Sequence, residues 1–171
     1  SANCNRKGRN VAARKSETAR SVTHETVTLS RTLPATPDVV FEAWRSVEAR
    51  EIWSVPAPGV AIKFEQAEFR EGGVDISRCG AIGDLKYLAV VRYADIVEDQ
   101  RLVMVEDVSV DGTRLSVALV TVIFAPVGKQ TRMDFTAQVV ALDGSDMVQG
   151  YFDGWNGAFA NLEAYLQRGA A

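Results

Sequence analysis

Residues 101–126 read RLVMVEDVSVDGTRLSVALVTVIFAP, two alternating runs joined by Asp111-Gly112. Asp-Gly between such runs is a strong hairpin signal, because both central residues of the tight turn need positive φ. The same grammar extends to either side. Strands are predicted at 60–70, 73–82, 86–97, 101–110, 114–126 and 130–142. They are divided by Glu71-Gly72-Gly73, Gly83-Asp84, Glu98-Asp99-Gln100, Asp111-Gly112 and Gly128-Lys129. Consecutive hairpins make an antiparallel meander, and no β-α-β spacing argues for parallel pairing.

Upstream, residues 23–33 (THETVTLSRTL) alternate polar and apolar and predict a further half-buried strand. Thr36 suits an N-cap, Pro37 the first helical position and Asp38 the positive end of a helix. Val40, Phe41 and Trp44 then recur at helical spacing to about Arg45. Ser46 can cap a second short helix through Trp53, which Pro56 and Pro58 end.

Downstream, residues 146–168 predict a long helix. Asp146 and Gln149 have capping-box spacing, and Gly169 is a suitable stop. Val148, Tyr151, Trp155, Phe159, Leu162 and Leu166 form one apolar stripe. Gly150, Gly154 and Gly157 fall away from that stripe. Close approach of another chain or loop is one explanation for them, and simple tolerance is the other.

The order is therefore β-α-α-β6-α: an α+β helix-grip fold, a curved antiparallel sheet of about seven strands around a long C-terminal helix. One helix does not cover such a sheet completely. The space left between helix and sheet predicts a cavity for something small and apolar.

Composition bounds the remainder. At 171 residues, with a charged fraction of 24% and a hydrophobic fraction of 47%, the chain suits one domain. Residues 1–21 read as a basic tail and 22–171 as the ligand-binding domain. In the tail Arg6, Lys7, Arg9, Arg14, Lys15 and Arg20 face Glu17 alone, and such low hydrophobicity disfavours packing. A basic arm on an acidic body could also meet a polyanion or an acidic partner. The net charge of −3 gives no reason to expect nucleic acid. No apolar run is long enough for a membrane span and no leader-like segment is visible, so a cytoplasmic protein is expected. Cys4 and Cys79 make no disulfide framework, and with one histidine, His24, they offer no zinc spacing. No cofactor and no metal are expected, and homodimerisation is left open.

Several segments, taken in order, resemble a known family. Leu33-Pro-Ala-Thr-Pro-Asp-Val-Val-Phe-Glu-Ala-Trp44 and Val47-Glu-Ala-Arg-Glu-Ile-Trp53 resemble the opening of SRPBCC (START-like) proteins. Within these the chain is most similar to the homologues of the activator of heat-shock protein 90 ATPase. Glu68-Phe-Arg-Glu-Gly-Gly73 looks like that branch's acidic-x-Arg-x-Gly-Gly hairpin, and Asp95-Ile-Val-Glu-Asp-Gln-Arg-Leu-Val103 like its strand-turn-strand signature. Thr131-Arg-Met133 resembles a Gly-Thr-Arg-Leu strand start, with Gln130 in place of the glycine. Gly154-Trp155 and Leu162-Glu-Ala-Tyr-Leu166 look like its final helix. The resemblance spans about 24–168. It implies the fold, but such folds serve binding proteins, cyclases, hydrolases and chaperone modulators alike, so it brings no catalytic residue.

In the family, the strand after the Gly-Gly turn tends to place aromatics at alternate inward positions. Here those positions carry Asp75, Ser77 and Cys79. A carboxylate bare in an apolar cavity would have a raised pKa and could act as a base or hold a polar ligand group. A one-residue slip would instead send Val74 and Ile76 inward, and β-propensity favours the slip. The pocket candidates are Trp53, Asp75, Ser77, Tyr93, Phe124, Met133, Phe135, Tyr151 and Trp155, the tyrosines and tryptophans because they combine apolar contact with a hydrogen bond. Arg70 and Glu68 read as a structural pair and His24 as solvated. Binding of a small hydrophobic or amphipathic molecule is the leading expectation. A cyclase or hydrolase pairing Asp75 with a tyrosine is the alternative. A chaperone-ATPase modulator acting through the basic arm or the glycine face is the third reading.

Overall fold

The computed structural model describes residues 20–169; residues 1–19 of the expected basic tail at 1–21, and the role expected of them, lie outside these. In chain order the elements are β1 (Val22–Leu33), α1 (Pro37–Arg45), α2 (Val47–Trp53), β2 (Val60–Gln66), β3 (Val74–Ala81), β4 (Asp84–Val97), β5 (Arg101–Val110), β6 (Thr113–Val127), β7 (Gln130–Leu142) and α3 (Met147–Gly169). The seven strands form one antiparallel sheet in the order β1-β7-β6-β5-β4-β3-β2. This is the α+β helix-grip arrangement, with α3 laid across the concave face.

Local chemistry accounts for the elements. The Asp111-Gly112 turn takes φ values of 50° and 75° at its two residues, the left-handed pair that a two-residue hairpin requires. The Ser46 hydroxyl accepts the Ala49 N–H at 3.2 Å and caps α2. Thr36 occupies the N-cap of α1, yet its side chain makes no capping bond. Gln149 does not close a capping box either; its amide donates to Asp153 at 3.0 Å. β2 stops at Gln66 rather than 70, because the sheet register breaks at Phe64 and Gln66. Residues 67–71 leave the ladder, and the Glu68 N–H donates to the Asp75 carboxylate at 2.8 Å instead, while Gly72 and Gly73 exchange backbone hydrogen bonds with Tyr93.

Side chains alternate across a strand, so register assigns each residue a face. Asp75 pairs with Val91, Val91 with Glu106, Glu106 with Ala118 and Ala118 with Val139. Ala118 and Val139 are buried, which makes this a row on the concave face. Asp75, Ser77 and Cys79 therefore point inward, and Val74 and Ile76 lie on the other side.

The core sits between α3, the two short helices and the sheet from β6 to β1. Trp44 is its centre, with ring centroids 5.0 Å from Trp53, 5.9 Å from a stacked Trp155, 6.1 Å from Phe124 and 6.2 Å from Phe159. Each large apolar side chain buried this way contributes about 1.5–3 kcal/mol. Two glycines of α3 answer to a neighbouring loop, and Gly150 does not. A Cβ on Gly157 would stand 2.3 Å from the Pro56 carbonyl oxygen, and one on Gly154 3.9 Å from the Pro56 ring. Asn161 Nδ2 donates to the Val55 carbonyl at 2.5 Å and ties the same loop to α3. None of the described helices is long and apolar enough to cross a membrane.

Candidate functional site

The helix α3 packs on β1, β7 and α2 and leaves the concave face of β2–β5 less covered. Under its C-terminal half the inner surface is sealed by Phe135, Phe159, Leu162 and Leu166. Beneath its N-terminal half the inward residues Ser77, Cys79, Tyr87, Ala89, Val91 and Glu106 all keep part of their surface. They form the floor of a half-open groove, which Tyr151 of α3 meets through its bond to Glu106. Two polar clusters lie on this face, one closed and one open.

The closed cluster is Arg50, Asp75 and Tyr93. Arg50 comes from α2, Asp75 from β3 and Tyr93 from the adjoining β4. Arg50 and Asp75 are 6% and 2% exposed and form a direct ion pair through Arg50 Nη1 and Asp75 Oδ2. The Tyr93 hydroxyl donates to the same Oδ2 at 2.5 Å and accepts from Arg50 Nη1 at 3.2 Å. With the Glu68 N–H on Oδ1, the carboxylate has three donors. The guanidinium lies 4.4 Å over the Phe64 ring, and its Nε and Nη2 make no hydrogen bond. Burial pushes the Tyr93 phenol far above its ordinary range, with Asp75 adding to the effect and Arg50 opposing it. Asp75 is thus not bare in an apolar cavity: a cation from another element meets it. It converges with Tyr93 as an acid/base pair would, but on each other and on Arg50 rather than on an open space.

The open cluster is half-buried Glu106 with buried Tyr151, and half-buried Cys79 and buried Ser116 lie nearby. Tyr151 Oη donates to Glu106 Oε1 at 2.5 Å. Burial raises the Glu106 carboxyl above the ordinary glutamate range, Asp107 adds to the rise, and the Tyr151 bond opposes it. Tyr151 is likewise pushed well up by burial and then by the Glu106 charge. Cys79 is pushed up to about 11, by burial first and Glu106 second. The Ser116 hydroxyl is fully buried and has no hydrogen-bond partner. Asp75 and Glu106 lie two strands apart, so roughly 10 Å separates the clusters.

The candidate residues read from the sequence divide accordingly. Ser77 lies on the less sealed floor, Tyr151 reaches it through Glu106, and Trp155 stacks on Trp44. Asp75 and Tyr93 belong to the closed cluster. Trp53, Phe124, Met133 and Phe135 are packed in the core, where Trp53 Nε1 donates to the Ala43 carbonyl at 2.8 Å. Sequence reasoning missed Glu106 and Arg50. A signal for Glu106 existed: the period-two line Leu102, Met104, Glu106, Val108 places it on the apolar face of β5. For Arg50 there was none, since its partner lies 25 residues away.

Two hollows lie elsewhere. One of about 590 Å³ opens on the convex face over Val105, Val117, Leu119 and Val140, with exposed His24 at its rim. Another of about 580 Å³ lies by Pro37, Gln100 and Pro126. Both are open, and neither gathers perturbed groups as the concave groove does, so the groove is the candidate site. Among the described residues, no group of three or more His, Cys, Asp and Glu side chains is placed to hold a metal ion.

Comparison with known proteins agrees with this fold. Residues 34–167 match the family model described as Activator of Hsp90 ATPase homolog 1-like protein. The structure of an uncharacterized protein from Rhizobium leguminosarum is 32% identical, with a TM-score of 0.78, covering 88% of this chain and 99% of that one. The Mll3558 protein from Rhizobium loti is 34% identical, with a TM-score of 0.76 and coverage of 85% and 99%. Protein CV1439 from Chromobacterium violaceum, at 22% identity and a TM-score of 0.72 with coverage of 82% and 96%, shares the fold. No curated protein matches the chain.

Proposed function

Since the chain belongs to the family of Activator of Hsp90 ATPase homolog 1-like proteins, a fold group that generally binds hydrophobic ligands, we propose that it holds a small hydrophobic or amphipathic molecule in the groove between β2–β5 and the N-terminal half of α3. The observation that carries this reading is the uneven sealing of one sheet face. The inward residues of β6 from Ser116 to Phe124 and of β7 from Thr131 to Ala141 are packed shut, while Ser77, Cys79, Tyr87, Ala89, Val91 and Glu106 on the same face are not. An apolar floor and one convergent polar pair are what a small-molecule site requires.

Turnover by Asp75 and a tyrosine is not part of the reading, because Arg50 occupies the space a substrate would need. A surface-acting modulator gains nothing from the α3 glycines, since Gly154 and Gly157 face Pro56 of the same chain. The test is to fill the floor. Ala89→Trp is expected to abolish enhancement of an anilinonaphthalene sulfonate dye while leaving the thermal midpoint within a few degrees. Undiminished dye binding by a folded Ala89→Trp variant would overturn the proposal.

A further inference from the structure

The reading above leaves the ligand's polar end open, and Glu106 narrows it. Resting on the groove as the binding site, we infer that the ligand is an amphipathic amine: an apolar body bearing a cationic nitrogen that docks on the free carboxylate oxygen of Glu106.

The argument is one of missing countercharge. Glu106 lies on the groove floor, and its carboxylate accepts one hydrogen bond, on Oε1, from Tyr151. At 2.5 Å that bond has the length of an O–H···O⁻ contact, so the phenol is arranged for a charged acceptor. The groups around it bring no positive charge. They are Tyr151 from α3, Cys79 from β3, Ser116 from β6 and Asp107 from β5 itself.

The arginines of the concave side are committed elsewhere, and Lys86 stands 5.5 Å over the Tyr87 ring. Arg50 pairs with Asp75, and Arg31 donates to Asn156 at 2.7 Å and lies 3.8 Å from Glu163. Asp107 is met by Arg92 at 2.9 Å and lies 3.8 Å from Arg114, on the opposite face of the sheet. A carboxylate in an apolar groove without a cation must take up a proton or be met by a cationic partner. The short Tyr151 bond favours the second. The body's own sign agrees, since a chain of net charge −3 attracts cations.

The test uses three probes with one eight-carbon tail and different heads: octylamine, octanol and octanoate, titrated by calorimetry below their micellar concentrations. Octylamine is expected to bind the wild type about tenfold to a hundredfold more tightly than octanol, with octanoate weakest. Glu106→Gln keeps an acceptor for Tyr151, so the fold is expected to persist. That variant should lose the preference for the amine and bind octanol as before. Equal binding of amine and alcohol, or a preference for octanoate, would overturn the amine inference while leaving the groove reading intact. Binding of none of the three would overturn both.

Discussion

Replacing Arg50 with methionine isolates what holds β3 in register. Methionine keeps an unbranched stem that can still lie on Phe64, so the change removes charge and donors more than bulk. Asp75 then retains the Tyr93 hydroxyl at 2.5 Å and the Glu68 N–H at 2.8 Å but loses its cation. A 2% exposed carboxylate has almost no water to replace it. Breaking a buried pair by removing one partner costs about 3–5 kcal/mol. For a chain of this size that is a fall of roughly 6–20 °C in Tm. Replacing both partners, as Arg50→Met with Asp75→Leu, should cost clearly less than Arg50→Met alone, because no unpaired charge remains. Urea denaturation followed by tryptophan fluorescence gives each value from the midpoint at constant slope. A double variant as destabilised as the sum of the two singles would refute the reasoning, for it would show that the two groups act independently.

Three further outcomes follow from other parts of the molecule. Gly157→Ala should destabilise by about 1–3 kcal/mol despite alanine's better helix propensity, because its Cβ meets the Pro56 carbonyl at 2.3 Å. The open position of Gly150 should instead gain up to about 1 kcal/mol from alanine, and equal thermal shifts for both would refute the packing account. Glu106 has a folded-state pKa raised above its unfolded value, so the folded state binds the extra proton. Its contribution is most favourable below the ordinary glutamate range and is lost as pH rises through the raised value. Glu106→Gln should accordingly gain stability relative to wild type at pH 7 but not at pH 4, and parallel Tm–pH curves would contradict this. Cys79, pushed up to about 11, should react with a thiol reagent at pH 8 with roughly a thousandth of its thiol ionised. In a Cys4→Ser background, labelling as fast as a free cysteine would disprove that burial.

Much of the architecture was legible locally. Alternation marked the strands, Asp111-Gly112 fixed one hairpin by its need for positive φ, and the spacing from Val148 to Leu166 defined α3. These signals are short-range, and each is carried by the residues that use it. The sequence thereby determined the order β-α-α-β6-α and, through its matching segments, the family. What tertiary structure alone decided is which side of β3 faces inward. Propensity favoured Val74 and Ile76, but the convex face is itself apolar, with Val105, Val117 and Leu119 upon it, so hydrophobicity does not distinguish the two registers. Arg50, brought over by α2, makes the buried position of Asp75 tolerable, and no local pattern reports an ion pair between residues 25 apart. The same holds for Gly154 and Gly157 of α3, which meet Pro56 about a hundred residues earlier, and for the bond from Tyr151 to Glu106. Periodicity places a side chain on a face; only the packed fold supplies the partner it meets there.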